Sequence, residues 1–319
     1  MLLIISWLHI ILFFIPTSKA FESSNFCNLP NRTMNLTGRA LHFVLKVGDR
    51  ARTIKFYKDV LGMKILRHEE FTEGCDAKCN GPYDNRWSKT MVGYGIEDTH
   101  FVVELTYNYN VNTYDLGNDF LGLTIKSSEA IANAKKHDWP IEEKDGCVTV
   151  KAPGGYSFQL LNEPQPSDKD PVQKVILASS NLQKSIEYWN GILGLKIFNQ
   201  GEKCVAVGFD ENQAKLELVD IGGEVKHATA YGRIAFSVPF KQLSDIDKKI
   251  KETNQTILTQ LITLDTPGKA TVTVIILADP DGHEICFVDD EGFRELSKFD
   301  ADSDAALEKY IKKDAERVK

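Results

Sequence analysis

Two glutamates occupy the middle of apolar segments, where a carboxylate has little water to solvate it. Glu104 follows Val102-Val, and Glu217 lies between two leucines in the run that begins at Lys215. Burying a carboxylate is costly unless it is paired, hydrogen-bonded or bound to a metal ion. Both glutamates are therefore candidates for acid–base or metal chemistry. The alternative is that each carboxylate faces a water-filled cleft and has no chemical role.

An imidazole and a thiol occupy comparable positions. His42 stands between Leu41 and Phe43, and Cys286 stands between Ile285 and Phe287. A neutral imidazole and a carboxylate are ordinary ligands for a borderline divalent ion. His42 is equally readable as a core histidine with a backbone partner, and Cys286 as an inert buried thiol. To serve as a ligand or base, Cys286 would have to be a thiolate.

The elements that would position these residues are repeated along the chain. Residues 54–65 read Ile-Lys-Phe-Tyr-Lys-Asp-Val-Leu-Gly-Met-Lys-Ile, and residues 186–197 read Ile-Glu-Tyr-Trp-Asn-Gly-Ile-Leu-Gly-Leu-Lys-Ile. A second pair, Pro153-Gly-Gly-Tyr and Pro280-Asp-Gly-His, opens a strand after a tight turn. The repeat is too long for a solenoid. It predicts duplicated α+β modules whose facing sheets enclose a cleft.

Each module is predicted as β-α-β-β-β from its apolar periodicity. In the first module, a buried strand over 39–47 precedes a helix that Asp49 caps and Gly62 ends. A long polar loop is predicted over 71–89. The other three modules follow the same plan, with predicted helices over 128–137, 182–192 and 241–251.

The predicted organisation has six segments. They are a signal-like segment over 1–20, a linker over 21–38, a first domain over 39–163, a linker over 164–171, a second domain over 172–290, and a charged helix or tail over 291–319. Three prolines and several charges mark the second linker. The charge of the last segment indicates either a helix packed on the surface or a frayed tail.

Composition excludes several classes of protein. A formal net charge of −7 argues against a nucleic-acid-binding surface, which needs a basic stripe. After removal of the first segment, no apolar run reaches the roughly 20 residues of a membrane helix. The six cysteines fit neither a disulfide scaffold nor a zinc ribbon, so most are predicted to be free thiols.

The N-terminal sequence is compatible with two alternatives for the cellular location of the protein. Met1 to Pro16 is apolar, and the small residues before Ala20 are typical of a secretory signal cleaved there. Translation from Met34 would instead give a cytosolic or mitochondrial protein.

Several motifs together resemble glyoxalase I, a member of the vicinal oxygen chelate superfamily. They are Arg39-Ala-Leu-His-Phe-Val-Leu-Lys-Val-Gly-Asp-Arg, Leu61-Gly-Met-Lys-Ile, Val103-Glu-Leu-Thr-Tyr-Asn and Tyr114-Asp-Leu-Gly. The resemblance implies an α+β fold of four βαβββ modules that form two vicinal oxygen chelate domains. It also implies lactoylglutathione lyase-type isomerisation of the glutathione–methylglyoxal hemithioacetal, with zinc or nickel as cofactor and glutathione as co-substrate.

The resemblance also implies roles for particular residues. His42 and Glu104 take the metal-ligand positions of module one, and Glu104 and Cys286 are the catalytic candidates. Module four offers Arg233 and Cys286 at the corresponding places. Arg233, which cannot coordinate a cation, and Glu217 are the substrate-binding candidates. If Arg233 points into the cleft, it could pair with Glu104 and replace the charge of the metal.

The family pairs module one with four and module two with three, so a second site is implied. Its positions carry residues less suited to metal, namely Gly122 and Gln159 from module two and Lys174 and Glu217 from module three.

Three functions remain open at this point. The first is the isomerase, and the second is a non-catalytic protein that binds a small molecule through a degenerate metal site. The third, an oxygenase with two histidines and one carboxylate on iron, is disfavoured because no second histidine takes a matching position. His283 is predicted on the strand face opposite Cys286, and His100 at the rim. Because the duplication supplies both halves of a cleft, a monomer is expected.

Overall fold

The computed structural model describes residues 33–144, 146–265 and 269–317. The predicted signal-like segment and most of the linker before residue 39 lie outside the described residues. Within them, the chain forms the four predicted β-α-β-β-β modules, followed by two helices. No described helix has the length and apolar character needed to cross a bilayer.

The first two modules have closely similar element orders. Module one consists of β1 Arg39–Lys46, α1 Arg50–Lys55, β2 Lys64–Phe71, β3 Trp87–Gly93 and β4 Val102–Asn108. Module two consists of β5 Phe120–Lys126, α2 Ser128–Lys136, β6 Ile141–Lys144, β7 Cys147–Lys151 and β8 Ser157–Leu161. Strand β6 takes the place after α2 that the module plan predicts; only its first residue is apolar, so its own sequence lacks the alternation by which a strand is recognised.

The last two modules repeat this order. Module three consists of β9 Val172–Ser179, α3 Leu182–Ile186, β10 Lys196–Gln200, β11 Cys204–Gly208 and β12 Lys215–Asp220. Module four consists of β13 Arg233–Val238, α4 Phe240–Glu252, β14 Thr256–Leu264, β15 Val272–Ala278 and β16 Glu284–Asp289. Helices α5 Asp290–Leu296 and α6 Ser303–Arg317 follow.

The strands form two eight-stranded sheets, each built from two modules. Sheet one has the order β14-β15-β16-β13-β1-β4-β3-β2 and joins modules one and four. Sheet two has the order β10-β11-β12-β9-β5-β8-β7-β6 and joins modules two and three. The predicted α+β fold with paired modules is confirmed. Each sheet therefore draws one module from either side of the linker over 164–171.

The repeated sequence motif corresponds to a repeated local structure. After α1 and α3, the chain continues as π-helical turns, Phe56–Val60 and Glu187–Ile192, where one continuous helix was predicted. Gly62 and Gly194 end these turns with φ of 74° and 75°. A side chain at that φ is strained, which explains why glycine stands at both positions. The predicted helix cap at Asp49 is also present, since its carboxylate accepts from the backbone N–H of Arg52.

The charged segment after residue 290 packs on sheet one through two different helices. The surface helix α6 lies against β2, with Asp314 accepting from the buried Arg50 at 3.1 Å and Asp304 from Lys58 at 2.8 Å. Helix α5 instead buries Phe293 and Leu296 in an apolar cluster with Val288 of β16. The sequence predicted only a surface helix or a frayed tail, because the charges of this segment outnumber the two residues that anchor α5.

The segments that connect the modules contact each other through their backbones. Leu116, between modules one and two, forms a β-bridge with Ala228, between modules three and four. Beside this bridge, a Cβ atom on Gly117 would lie 1.7 Å from the carbonyl oxygen of Lys226. That carbonyl already accepts from the N–H of Asn118 at 2.8 Å, so it cannot easily move away.

Replacing Gly117 by alanine is therefore expected to lower the free energy of unfolding by about 2 kcal/mol, as other overpacking substitutions do. Denaturant unfolding of the purified variant measures this. Gly223→Ala in the neighbouring segment is the matched control, because a Cβ atom there meets nothing within 4 Å. Equal stability of the two variants would show that the connecting segments are not tightly packed.

Candidate active site

The strand registers bring the predicted site residues of modules one and four to one face of sheet one. Val44 lies opposite both Glu104 and Arg233. Because residues directly opposite in neighbouring strands share a face, and strand residues alternate, His42 lies on that face as well. The same holds for Cys286, which is paired with Ala235 and so with His42. We call this surface the inner face.

His42 and Glu104 are in contact on the inner face. His42 Nε2 lies 3.4 Å from Glu104 Oε2, and both side chains are buried. The hydroxyl of Thr106 donates to the other carboxylate oxygen at 3.4 Å. Within the described residues, His42 Nδ1 has no hydrogen-bond partner. The ring stacks on Phe293 of α5, with 6.1 Å between the ring centroids.

Burial controls the protonation of this pair. Desolvation lowers the pKa of His42 to about 3, so its imidazole is neutral at physiological pH. Desolvation also raises the pKa of Glu104. The positive charges of Lys89, Arg67 and Arg233 oppose that increase by favouring the carboxylate. The pair therefore combines a neutral imidazole with a carboxyl group whose affinity for a proton is increased.

Arg233 does not pair with Glu104, the alternative that the sequence left open. Its guanidinium instead binds Glu284 on the next strand, with Nη2 2.7 Å from Oε2. It also donates to the carbonyl oxygens of Ala77 at 3.0 Å and Lys78 at 3.2 Å. Arg233 thereby holds the loop between β2 and β3 against the inner face.

Cys286 is a thiol, not a thiolate. Desolvation raises its pKa to about 11, an effect that the positive charge of Arg233 only partly opposes. A protonated thiol is a poor metal ligand and a poor base. The ligand or base role considered for Cys286 therefore has no support at neutral pH.

The corresponding residues of sheet two form a different arrangement. Lys174 Nζ lies 2.6 Å from both carboxylate oxygens of Glu217. Gln159 accepts from the hydroxyl of Thr124 at 3.1 Å, while Gly122 contributes no side chain. An ammonium group thus occupies the place beside the carboxylate in sheet two, where sheet one has an imidazole.

A cavity of about 380 Å³ opens at the edge of the inner face. Its lining includes Trp87 and Lys89 of β3, Leu296 of α5 and the two cysteines 75 and 79. Those cysteines form a disulfide, so the prediction of free thiols holds among the described residues for Cys147, Cys204 and Cys286. Lys89 belongs both to the cavity wall and to the charges that act on Glu104.

Comparison with known proteins identifies the family. One family model, described as glyoxalase domain-containing protein 4, N-terminal, matches residues 122–162, and one described as the glyoxalase domain-containing protein 4-like C-terminal domain matches residues 181–296. Glyoxalase domain-containing protein 4 of Rattus norvegicus is 59% identical over 268 residues, which cover 83% of this chain and 90% of the rat protein. The chain belongs to the glyoxalase domain-containing protein 4 family.

More distant relatives extend the likeness to glyoxalase I. A Caenorhabditis elegans protein named glyoxalase 1 is 48% identical over 282 residues, which cover 88% of this chain and 98% of that protein. The crystal structure of glyoxalase I from Zea mays superposes with a TM-score of 0.66 at 28% identity, covering 82% of this chain and 95% of the maize chain. The predicted resemblance to glyoxalase I and the vicinal oxygen chelate superfamily is confirmed.

The inner face does not fit the metal centre that the glyoxalase I resemblance implies. That centre takes two ligands from each of two modules, and a catalytic zinc ion ordinarily has three protein donors. His42 and Glu104 supply two. The equivalent positions carry a guanidinium already bound to Glu284 and the protonated thiol of Cys286. Among the described residues, the four positions thus provide only two metal ligands. The positive charge of Arg233 at a third position would also repel a cation.

Sequence reasoning missed the cations that surround Glu104. Arg67 lies opposite Met91, and Met91 lies opposite Glu104, so Arg67 shares the inner face. Lys89 is two residues before Met91 and also shares it. The alternation of β3 was visible in the sequence. The pairing register that brings these cations near Glu104 was not.

Proposed function

We propose that this protein isomerises the hemithioacetal formed by glutathione and methylglyoxal, with Glu104 as the base that transfers the proton. The observation that carries this proposal is the buried Glu104 carboxyl group beside the neutral His42 within the field of three cations. The names of the C. elegans relative and of the maize structure support the same reaction class.

The reaction needs one base that acts on two neighbouring carbons. The Glu104 carboxylate removes the hydrogen from the carbon that carries sulfur and hydroxyl. The electrons of that C–H bond form the carbon–carbon double bond of an enediolate, and the former carbonyl oxygen takes the negative charge. Glu104 then returns the proton to the neighbouring carbon, and the hydroxyl proton passes to the negatively charged oxygen. The former hydroxyl oxygen becomes the thioester carbonyl, the former carbonyl oxygen becomes the hydroxyl of the product, and the base is regenerated.

The cations of the inner face, each of which is also paired with a glutamate, offset part of the charge that an enediolate develops. Lys89, Arg67 and Arg233 all act electrostatically on Glu104, and Lys89 also borders the cavity. Fixed positive charges in a site with little water stabilise a developing anion without reorganisation. In this proposal the chain's own cations take the electrostatic role, and no step depends on a bound metal ion.

Helix α5 borders the proposed site. The Phe293 ring stacks on His42, and Leu296 belongs both to the apolar cluster and to the wall of the cavity. The α5 residues therefore help to keep water away from the buried His42 and Glu104. In this proposal a carboxylate of glutathione binds at Lys89, because the other charged residues among those that line the cavity are three carboxylates.

Non-catalytic binding of a small molecule is the second candidate function, and a specific contact favours it. The ion pair between Arg233 and Glu284 fills the position where the resemblance expects a ligand from module four. A protein that kept the cavity and lost the reaction would look the same at this position. Formation of the thioester by purified protein, methylglyoxal and glutathione separates the two functions.

The pH dependence of kcat/KM follows from the protonation of Glu104. Because burial raises its pKa above the ordinary value of 4.5 and the reaction needs the carboxylate, turnover is expected to rise with pH through a midpoint above 4.5. Replacing Lys89 by methionine removes a charge that favours the carboxylate, so the midpoint should move to higher pH. A pH–rate profile of both proteins measures this. A midpoint that falls in Lys89→Met would rule out Glu104 as the titrating base.

A further inference from the structure

A cluster of one carboxylate and two imidazoles lies next to the contact between the two connecting segments, away from the inner face. Asp119 immediately precedes β5, His227 precedes β13, and His283 precedes β16. One ligand atom from each lies within 4.8 Å of the other two. Asp119 and His283 are buried, whereas 27% of the His227 side chain is exposed, which gives an ion a path from solvent.

The backbone around this cluster is fixed by its own hydrogen bonds. The N–H of Asn118 donates to the carbonyl of Lys226, and the N–H of Lys226 donates back to Asn118 Oδ1. The side-chain amide of Asn118 also donates to the carbonyl of Glu224 at 2.9 Å. These bonds hold Asp119 and His227, which each lie one residue away, at a set separation without any ion.

Backbone carbonyls determine which nitrogen of each imidazole carries hydrogen. His227 Nε2 lies 2.9 Å from the carbonyl oxygen of Asp281, and His283 Nε2 lies 2.7 Å from that of Ala178. A carbonyl oxygen can only accept, so both Nε2 atoms donate. A neutral imidazole that donates from Nε2 has a lone pair on Nδ1. Metal-binding histidines characteristically have this arrangement, and in His227 the Nδ1 atom faces Asp119.

The contact between His227 and Asp119 requires a positive charge. His227 Nδ1 lies 2.9 Å from Asp119 Oδ2. With Nε2 as the donor, a neutral His227 would place a nitrogen lone pair against a carboxylate oxygen. Either a second proton on the ring or a cation must lie at this contact. The Asp119 contact raises the pKa of His227, which favours the proton, whereas the ligand atom of His283 within 4.8 Å supplies a third donor that only a metal ion would use.

We propose that Asp119, His227 and His283 together bind one divalent transition-metal ion of the zinc or cobalt type. Two imidazoles and one carboxylate suit such borderline ions, and they leave coordination positions for water. Asp281 and Ala178 hold the two rings through their carbonyls. The ion would link the beginning of β5 in sheet two to the segments that precede β13 and β16 in sheet one.

This site has a structural role that is separate from the proposed isomerase. Because an ion bound only by the folded protein stabilises it by mass action, added metal should raise the melting temperature. Turnover at Glu104 should not depend on the ion. The two proposals therefore succeed or fail independently.

Cobalt and zinc titrations of the full-length, chelator-treated protein test this proposal. We expect one equivalent of Co²⁺ to bind with a visible spectrum that lacks thiolate charge transfer, both in the wild type and in Glu104→Gln. Replacing His227 by glutamine or Asp119 by asparagine should weaken zinc binding by more than about 100-fold, which exceeds the usual cost of losing a residue that only orients a ligand. The exposed His137→Gln is the control and should bind normally.

Circular dichroism of each variant checks that it is folded, and the partly exposed His227 makes His227→Gln the variant least disturbing to folding. The proposal is overturned if the wild type binds no stoichiometric metal, in which case a proton bridges His227 and Asp119. It is also overturned if folded His227→Gln and Asp119→Asn bind zinc as tightly as the wild type.

Discussion

Replacing Glu104 by glutamine is expected to lower kcat for the glutathione–methylglyoxal hemithioacetal by about 1000-fold, within the usual range for loss of a general base. Glutamine keeps the size of the side chain and can still accept from Thr106 and lie against His42. It cannot accept a proton from carbon. Steady-state kinetics should therefore show a loss in kcat with little change in KM.

Glu217→Gln provides the matched comparison, because Glu217 occupies the equivalent strand position in sheet two. Its carboxylate is bound by Lys174 at 2.6 Å, so we expect turnover close to that of the wild type. If Glu217→Gln were inactive and Glu104→Gln active, the reaction would belong to sheet two. If both variants kept full turnover, neither glutamate would be the base.

Replacing Arg67 by methionine is expected to lower the free energy of unfolding by about 3–5 kcal/mol, the usual cost of removing one partner of a buried ion pair. Arg67 Nε lies 2.6 Å from Glu97 Oε1, and Nη1 lies 2.9 Å from Glu69 Oε1. The Arg67 and Glu97 side chains are only 2% and 1% exposed. Methionine would leave Glu97 buried without its partner. Denaturant unfolding measures the difference.

Two further variants make this prediction specific. Lys298→Met removes a lysine whose pair with Glu295 is more than half exposed, so its stability should match that of the wild type. The double variant Arg67→Met/Glu97→Gln should recover part of the loss, since it removes the unpaired charge. A destabilisation of Arg67→Met no larger than that of Lys298→Met would contradict the burial of the pair.

Much of the fold could be predicted because its signals are local or repeated. The recurrence of 54–65 at 186–197 identified the modules, and Asp49 and Gly62 marked the two ends of the first helical segment. These residues act on their own turn of chain. The positions of His42 and Glu104 on one face likewise follow from strand alternation once the modules are aligned.

The remainder of the site depends on contacts between distant segments. Whether Arg233 would bind Glu104 or Glu284 was decided by the pairing of β13 with β16 and by the loop carbonyls of Ala77 and Lys78. The covering of His42 by Phe293 depends on where α5 packs. The His227 contact with Asp119 spans 108 residues. No local pattern encodes such distances.

Turnover of the hemithioacetal by chelator-treated protein of measured metal content is the most direct test of the account. We expect thioester formation that persists without metal and disappears in Glu104→Gln. No thioester, with or without added zinc, nickel or cobalt, would show that the cavity only binds its ligand. Thioester formed solely after a metal is restored would show that the cations of the inner face do not replace one.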